Sequence, residues 1–318
     1  MDILLSPIIL FFLLGAVAAL IRSDLAVPEV VGKALALYLM AAIGLKGGVQ
    51  VSETGFTQDL LVAGLAGVAL SFLLPLPAFF CLTRFGRLGP VDAGAVSAHY
   101  GSVSVVTFVA GAEILTGGQM PPAGYMVAVL ALMETPGILT GLWLAGRAGR
   151  TAPSSAAHAE GHLREALTNG SVVLLVGSFI VGLVVGSEGF APVAPVFEGA
   201  FRGMLCLFLL DMGLVAARHL MRSRSLTPAL IGLAIGFPLV NGTIGVAIGT
   251  LVGLDTGSAA ALGVLAGSAS YIAAPAAIRL ALPSADIGLP LAMSLGITFP
   301  FNVLVGIPTF AALARWMA

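Results

Sequence analysis

The residues best placed to do chemistry lie in two short stretches, SAHYGSVS at 97–104 and AGSASYIAAPAAIR at 266–279. Each interrupts an apolar run of membrane-span length. The first holds Ser97, His99, Tyr100, Gly101, Ser102 and Ser104; the second holds Ser268, Ala269, Ser270, Tyr271 and Pro275. A helix surrounded by hydrocarbon has no need of so many polar groups unless they hold something. Gly101 weakens a helix, and Pro275 removes a backbone donor and blocks the carbonyl of Tyr271 four residues earlier. Non-helical backbone at membrane depth survives only where protein or a water-filled cavity covers it. The expectation is two interrupted helices meeting near the middle of a bilayer. Half-helix N-termini there offer N–H groups and positive dipole ends to an anion. Unwound carbonyls and hydroxyls suit a small hard cation such as Na+. Close packing of small residues is the competing reading for either stretch alone, and their equivalent placement in the chain favours a site.

Further polar groups can line the same place. Ser294, Thr298 and Asn302 recur every four residues and share one helix face. Asn241 follows Pro238, near Thr243. A buried amide needs several partners, so Asn241 and Asn302 are candidates for ion coordination, with an interhelical hydrogen bond as the even alternative. Glu134 in LMETPGILTG and Asp211 in LFLLDMGLVAA are intramembrane carboxylates, costly to keep and functional by default. Either takes protons, ligates Na+ or pairs with Arg202 or Lys33. His99 reads as a fixed, hydrogen-bonded neutral imidazole more than as a titrating group. Catalysis finds little support. No activated nucleophile, metal cluster or phosphate loop is visible, and His99 with Ser102 or Ser104 lacks a third orienting group.

The elements that must position these residues are membrane spans. The chain has 318 residues, 58% hydrophobic and 9% charged, with a formal net charge of −1. Soluble domains carry about 25% charged residues, and near-neutrality points to no nucleic-acid or other polyanionic partner. Cys81 and Cys206 sit in apolar spans as packing residues. The start, Met1-Asp2, lacks a positive n-region, so ILLSPIILFFLLGAVAAL reads as the first span rather than a cleaved signal. Ten helices are expected, at about 4–21, 28–46, 58–82, 90–112, 121–145, 169–187, 196–217, 226–252, 257–281 and 287–314. The polar stretch 146–168 separates two halves of five, 1–145 and 169–318.

Alternating the loops collects Arg22, Arg84, Arg87, Arg147, Arg150, Arg164, Arg218, Arg222, Arg224 and Arg279 on one side. The other side has Lys46 and Arg315 with several carboxylates. The positive-inside rule makes the Arg-rich side cytoplasmic and both termini extracytoplasmic. Halves with an odd number of helices are inverted relative to each other. LMAAIGLKGG (39–48) resembles FLLDMGLVAA (208–217), and GAVSAHYGSVS (94–104) resembles GVLAGSASYIA (263–273), both at an offset of about 169 residues. Inverted repeats with a site near the midplane characterise secondary transporters.

SAHYGSVSVVTF, GSASYIAAPAAIR and ITFPFNVLVGIP, in this order, closely resemble the sodium-dependent bicarbonate transporters of the SbtA type, over essentially the whole chain except 146–168. The resemblance implies an all-α fold of ten helices in two inverted repeats. Residues 1–57 and 169–224 would form a scaffold that assembles a homotrimer; 58–145 and 225–318 would form a core that slides like an elevator. Bicarbonate would meet Tyr100, Gly101, Ser102, Ala269, Ser270 and Tyr271. No cofactor is expected; Na+, the coupling ion, would meet Ser97, His99, Ser104, Ser268, Thr298 and Asn302, with Asn241 added from the reading of the residues above. The location would be a bacterial inner membrane. Cyanobacterial members are inhibited from the cytoplasm by a PII-like trimer, and they carry a longer, more charged central loop than the one here. The alternatives are another small anion or monocarboxylate, or proton coupling through Glu134 or Asp211.

Overall fold

The computed structural model describes residues 6–55, 57–148, 170–222, 226–286 and 288–318, and among them every regular element is helical. The central linker from 149 to 169, with Arg150 and Arg164, lies outside the described residues, as do Arg224 and the side chain of Arg222. The helices are α1 (Pro7–Leu20), α2 (Glu29–Thr54), α3 (Gln58–Leu73), α4 (Pro75–Arg84), α5 (Pro90–Gly101), α6 (Val105–Gly117), α7 (Met126–Ala148) and α8 (Gly170–Phe190). They continue with α9 (Phe201–Arg222), α10 (Pro228–Leu251), α11 (Thr256–Ala266), α12 (Ala273–Ala281), α13 (Gly288–Met293), α14 (Phe299–Phe301) and α15 (Ile307–Met317). Short π-helical turns occupy Pro195–Gly199, Ser294–Thr298 and Asn302–Gly306.

Helix starts are written in the local sequence. The hydroxyls of Ser6, Thr57 and Thr227 and the carboxylate of Asp255 accept the orphan N–H groups of Ile9, Leu60, Leu230 and Ser258. Proline occupies the first turn of α1, α4, α5 and α10, where its missing donor costs nothing. Among the described residues, eight helical segments are long and apolar enough to cross a membrane: Glu29–Thr54, Gln58–Arg84, Pro90–Gly117, Met126–Arg147, Val173–Phe190, Phe201–Met221, Pro228–Leu251 and Gly288–Met317. Pro7–Leu20 and Thr256–Ala266 are apolar but shorter.

Several boundaries differ from those expected. The second span runs on from 46 to Thr54, because Gly47 and Gly48 pack against Val127 and Phe179 and keep the helix buried past Lys46. The fifth begins at Met126 rather than 121, after the Pro121-Pro122 pair. The seventh splits into a π turn and α9.

Helices α1, α2, α8 and α9 pack on one another, α1 against α9 and α2 against α8. The approach is reciprocal. Gly15 of α1 faces the Leu210 carbonyl of α9, and Gly213 of α9 faces the Phe12 carbonyl of α1. Gly48 and Gly182 do the same between α2 and α8, against the carbonyls of Phe179 and Leu45. Small residues let backbones meet where no hydrophobic gain separates helix from lipid. The remaining helices surround α5, α6 and α11, whose residues are almost entirely buried.

Candidate functional site

The α5–α6 pair breaks at Ser102, Val103 and Ser104, and the α11–α12 pair breaks from Gly267 to Ile272. Ser102 and Ser104 are extended, at φ/ψ of −90°/155° and −108°/114°. Pro275 falls in the first turn of α12, so the helix restarts just before it. The two breaks bond to each other. Ser270 N donates to the His99 carbonyl at 2.8 Å, and His99 Nδ1 lies 2.5 Å from the Ser270 carbonyl. A carbonyl only accepts, so Nδ1 carries the imidazole hydrogen. Ser104 N donates to Ser268 Oγ at 2.9 Å, and Ser268 Oγ donates to the Leu265 carbonyl at 2.8 Å. Each restarting half-helix also receives a serine at its N-terminus. Ser104 Oγ accepts from Thr107 N at 3.1 Å and Ser270 Oγ from Ala274 N at 3.3 Å.

Neighbouring helices hold the breaks in place. Ser102 Oγ donates to the Glu134 carbonyl of α7 at 2.8 Å. Tyr100 OH lies 2.6 Å from Thr298 Oγ1, which donates to the Ala234 carbonyl at 2.7 Å. That carbonyl has no helical partner because Pro238, four residues on, has no N–H. Asn302 Nδ2 donates to the Gly267 carbonyl at 2.8 Å. Tyr100 packs edge-on to Phe237 with centroids 4.9 Å apart. Tyr271 meets Phe299, which meets Phe12 of α1, forming an aromatic chain from the second break to the neighbouring helices.

Most residues singled out in the sequence therefore converge. His99, Tyr100, Gly101, Ser102 and Ser104 meet Ser268, Ala269, Ser270 and Tyr271, with Thr298 and Asn302 beside them. Ser97 is buried in α5 and turns its hydroxyl back on the Ala93 carbonyl at 2.6 Å. Asn241 is buried one turn beyond Pro238, whose carbonyl lies against Gly267. Glu134 is buried beside Ser102. Asp211 is elsewhere: it packs against Gly32 of α2. The ion pairs expected for it also differ. Lys33 pairs with Glu29 at 2.6 Å, and Arg202 pairs with Glu113. Neither serine engages His99 as a nucleophile would, since Ser102 bonds Glu134 and Ser104 caps α6.

Among the described residues, buried polar atoms without a hydrogen-bond partner include His99 Nε2 and Tyr271 OH at the breaks, Asn302 Oδ1 and Glu134 Oε2 on residues that bond to the breaks, and Asn241 Nδ2, Ser294 Oγ and Tyr125 OH elsewhere. Such atoms are rare in folded proteins and call for an explanation. Acceptors such as Asn302 Oδ1 and Glu134 Oε2 suit a cation; donors such as Tyr271 OH and Asn241 Nδ2 suit an anion. Ser71 is a residue that sequence reading missed. It is fully buried in α3, with its hydroxyl 2.9 Å from the Gly101 carbonyl. A lone serine in LAGVALSFLL gives no signal of that contact.

A cavity of about 440 Å³ lies between α2, α6, α8 and α9, with Lys46, Gln50, Glu53, Glu113 and Glu198 on its polar walls and Phe108 and Val109 on α6. Lys46 Nζ is 3.6 Å from Glu198, and Glu113 pairs with Arg202 across the α6–α9 boundary.

A family model described as the Na+-dependent bicarbonate transporter superfamily matches residues 7–315. No curated protein matches the chain.

Proposed function

From the premise that the chain belongs to the Na+-dependent bicarbonate transporter superfamily, we propose that it carries bicarbonate inward with Na+ across a bacterial inner membrane. The observation that carries this reading is the mutual hydrogen bonding of the two helix breaks at His99, Ser104, Ser268 and Ser270, which themselves hold two unpartnered buried polar atoms, His99 Nε2 and Tyr271 OH. Tyr100, Gly101, Ser102, Ala269, Ser270 and Tyr271 line the anion site, and Asn302, Thr298, Ser104 and Ser268 lie where Na+ is coordinated. Coupling is needed because gathering an anion against an inside-negative potential costs about 2.3 kcal/mol per charge at 100 mV. The process is transport rather than catalysis.

The eight long segments and the two shorter apolar helices are read as ten crossings in two inverted repeats. In this reading α1, α2, α8 and α9 form the scaffold of a homotrimer. The rest forms a core, and core and breaks slide together past the scaffold. The Arg-rich side is cytoplasmic, and a PII-like trimer docks there. Uptake of labelled bicarbonate into proteoliposomes, with and without a Na+ gradient, tests the function. Uptake that ignores choline replacement of Na+ but collapses with a protonophore overturns it. That outcome selects the second reading, proton coupling, which the unpartnered buried Oε2 of Glu134 favours.

A further inference from the structure

We infer that Ser71 is a positioning residue for the anion site, acting through the backbone of Gly101. Its hydroxyl stands at a three-way junction. It lies 2.9 Å from the Gly101 carbonyl and 2.7 Å from the Met133 carbonyl, and it accepts from Gly137 N at 2.9 Å. In an unbroken helix, Gly137 N would bond the Met133 carbonyl directly. Ser71 bonds both members of that pair, in the turn of α7 that contains Pro136. The same turn grips the first break: Glu134 receives Ser102 Oγ, and a Cβ on Gly137 would run into the Gly101 backbone.

A hydroxyl has one hydrogen, so Ser71 serves the Met133 carbonyl or the Gly101 carbonyl, one at a time. Gly101 ends α5, and its carbonyl lies on the peptide that joins it to Ser102. When Ser71 points to Gly101 it fixes that peptide; when it points to Met133 it releases it. The side chain is fully buried, so bulk solvent does not reach these carbonyls past it. Ser71 thus ties three helices, α3, α5 and α7, to the geometry of the Gly101–Ser102 peptide.

This inference rests on the reading of Gly101 and Ser102 as part of the bicarbonate site. The test uses the full-length purified protein in proteoliposomes. Ser71→Ala is compared with Ser258→Ala, an equally buried serine that serves Ala123 N at the other end of α11. Ser71→Ala is expected to raise the bicarbonate KM about three- to tenfold, the value of one hydrogen bond, with Vmax within twofold. Ser258→Ala should lower the melting temperature without moving KM. Ser71→Cys, similar in size and with a weak S–H donor, should fall between Ser71→Ala and the wild type, and it carries the comparison if Ser71→Ala does not fold. Ser71 variants that lower Vmax and melting temperature together at unchanged KM would make Ser71 a structural residue and overturn the inference. Absence of Na+-dependent uptake by the wild type would overturn the functional reading, and the inference with it.

Discussion

Thr298→Val probes the hydroxyl chain that joins the first break to α10. The single hydrogen of Thr298 Oγ1 is committed to the Ala234 carbonyl at 2.7 Å, so Tyr100 OH is the donor across the 2.6 Å contact. Valine keeps the shape of threonine and removes the oxygen. Two groups are then orphaned, the Ala234 carbonyl and the Tyr100 hydroxyl, at residues no more than 1% exposed. At about 1–3 kcal/mol each, the loss is about 2–6 kcal/mol. Tyr100→Phe removes the donor but leaves Thr298 bonded to Ala234, and should cost about 0.5–1.5 kcal/mol. In the double variant the phenol is gone, so a single orphan remains and the loss falls to about 1–3 kcal/mol. The double variant should therefore be no less stable than Thr298→Val, with a coupling of about 1 kcal/mol or more. Reversible unfolding of the detergent-purified protein measures all four corners of the cycle. Additivity within about 0.5 kcal/mol would show that the two hydroxyls do not share a hydrogen and refute the assignment.

Gly137→Ala places a methyl against the Gly101 backbone, which no rotamer change relieves; a loss of at least about 1–3 kcal/mol and of most uptake is expected, and wild-type melting would contradict the close α5–α7 approach. Gly101→Val meets Pro75 and Gly137 in the same way and should abolish uptake; normal uptake would remove the anion from this break. Glu134→Gln should leave Na+-driven uptake within a fewfold of wild type, whereas complete loss with retained folding would assign the coupling role to this carboxylate. Arg202→Gln should cost about 1–3 kcal/mol in the same melting assay, because the Arg202 side chain is 68% exposed but that of Glu113, left without its partner, is only 10% exposed; a loss below about 0.5 kcal/mol would mean that water replaces the guanidinium at Glu113.

Much of the candidate site's placement was legible because its signals are local. Gly101 and Pro275 mark helix breaks whatever surrounds them; that Ser104 and Ser270 cap the restarting helices emerged only from the structure. The stripe Ser294, Thr298, Asn302 was legible as a face. The π turns that carry it were not, since a widened helix is maintained by partners far away in sequence: Tyr100 and Ala234 for Thr298, Gly267 for Asn302. Ser71 was illegible for the same reason, its partners being 30, 62 and 66 residues distant. Asp211 drew notice because a carboxylate in an apolar run is costly, but its packing against Gly32 depends on how α2 meets α9, which no single stretch encodes.

The bonding of the two breaks also sets a timetable for the chain's biosynthesis. His99 and Ser104 find their partners 171 and 164 residues downstream. At about 5–20 residues per second of synthesis, the carbonyl of His99 waits about 10–35 s before Ser270 is even made. Over that interval a half-built protein holds backbone groups that bilayer hydrocarbon cannot satisfy, each costing several kcal/mol. The nascent first half must keep them wet, or bonded to temporary partners, until the ribosome delivers the second. The two halves expressed as separate polypeptides should accordingly complete the crossing only when they are made in the same membrane, and neither should complete it alone.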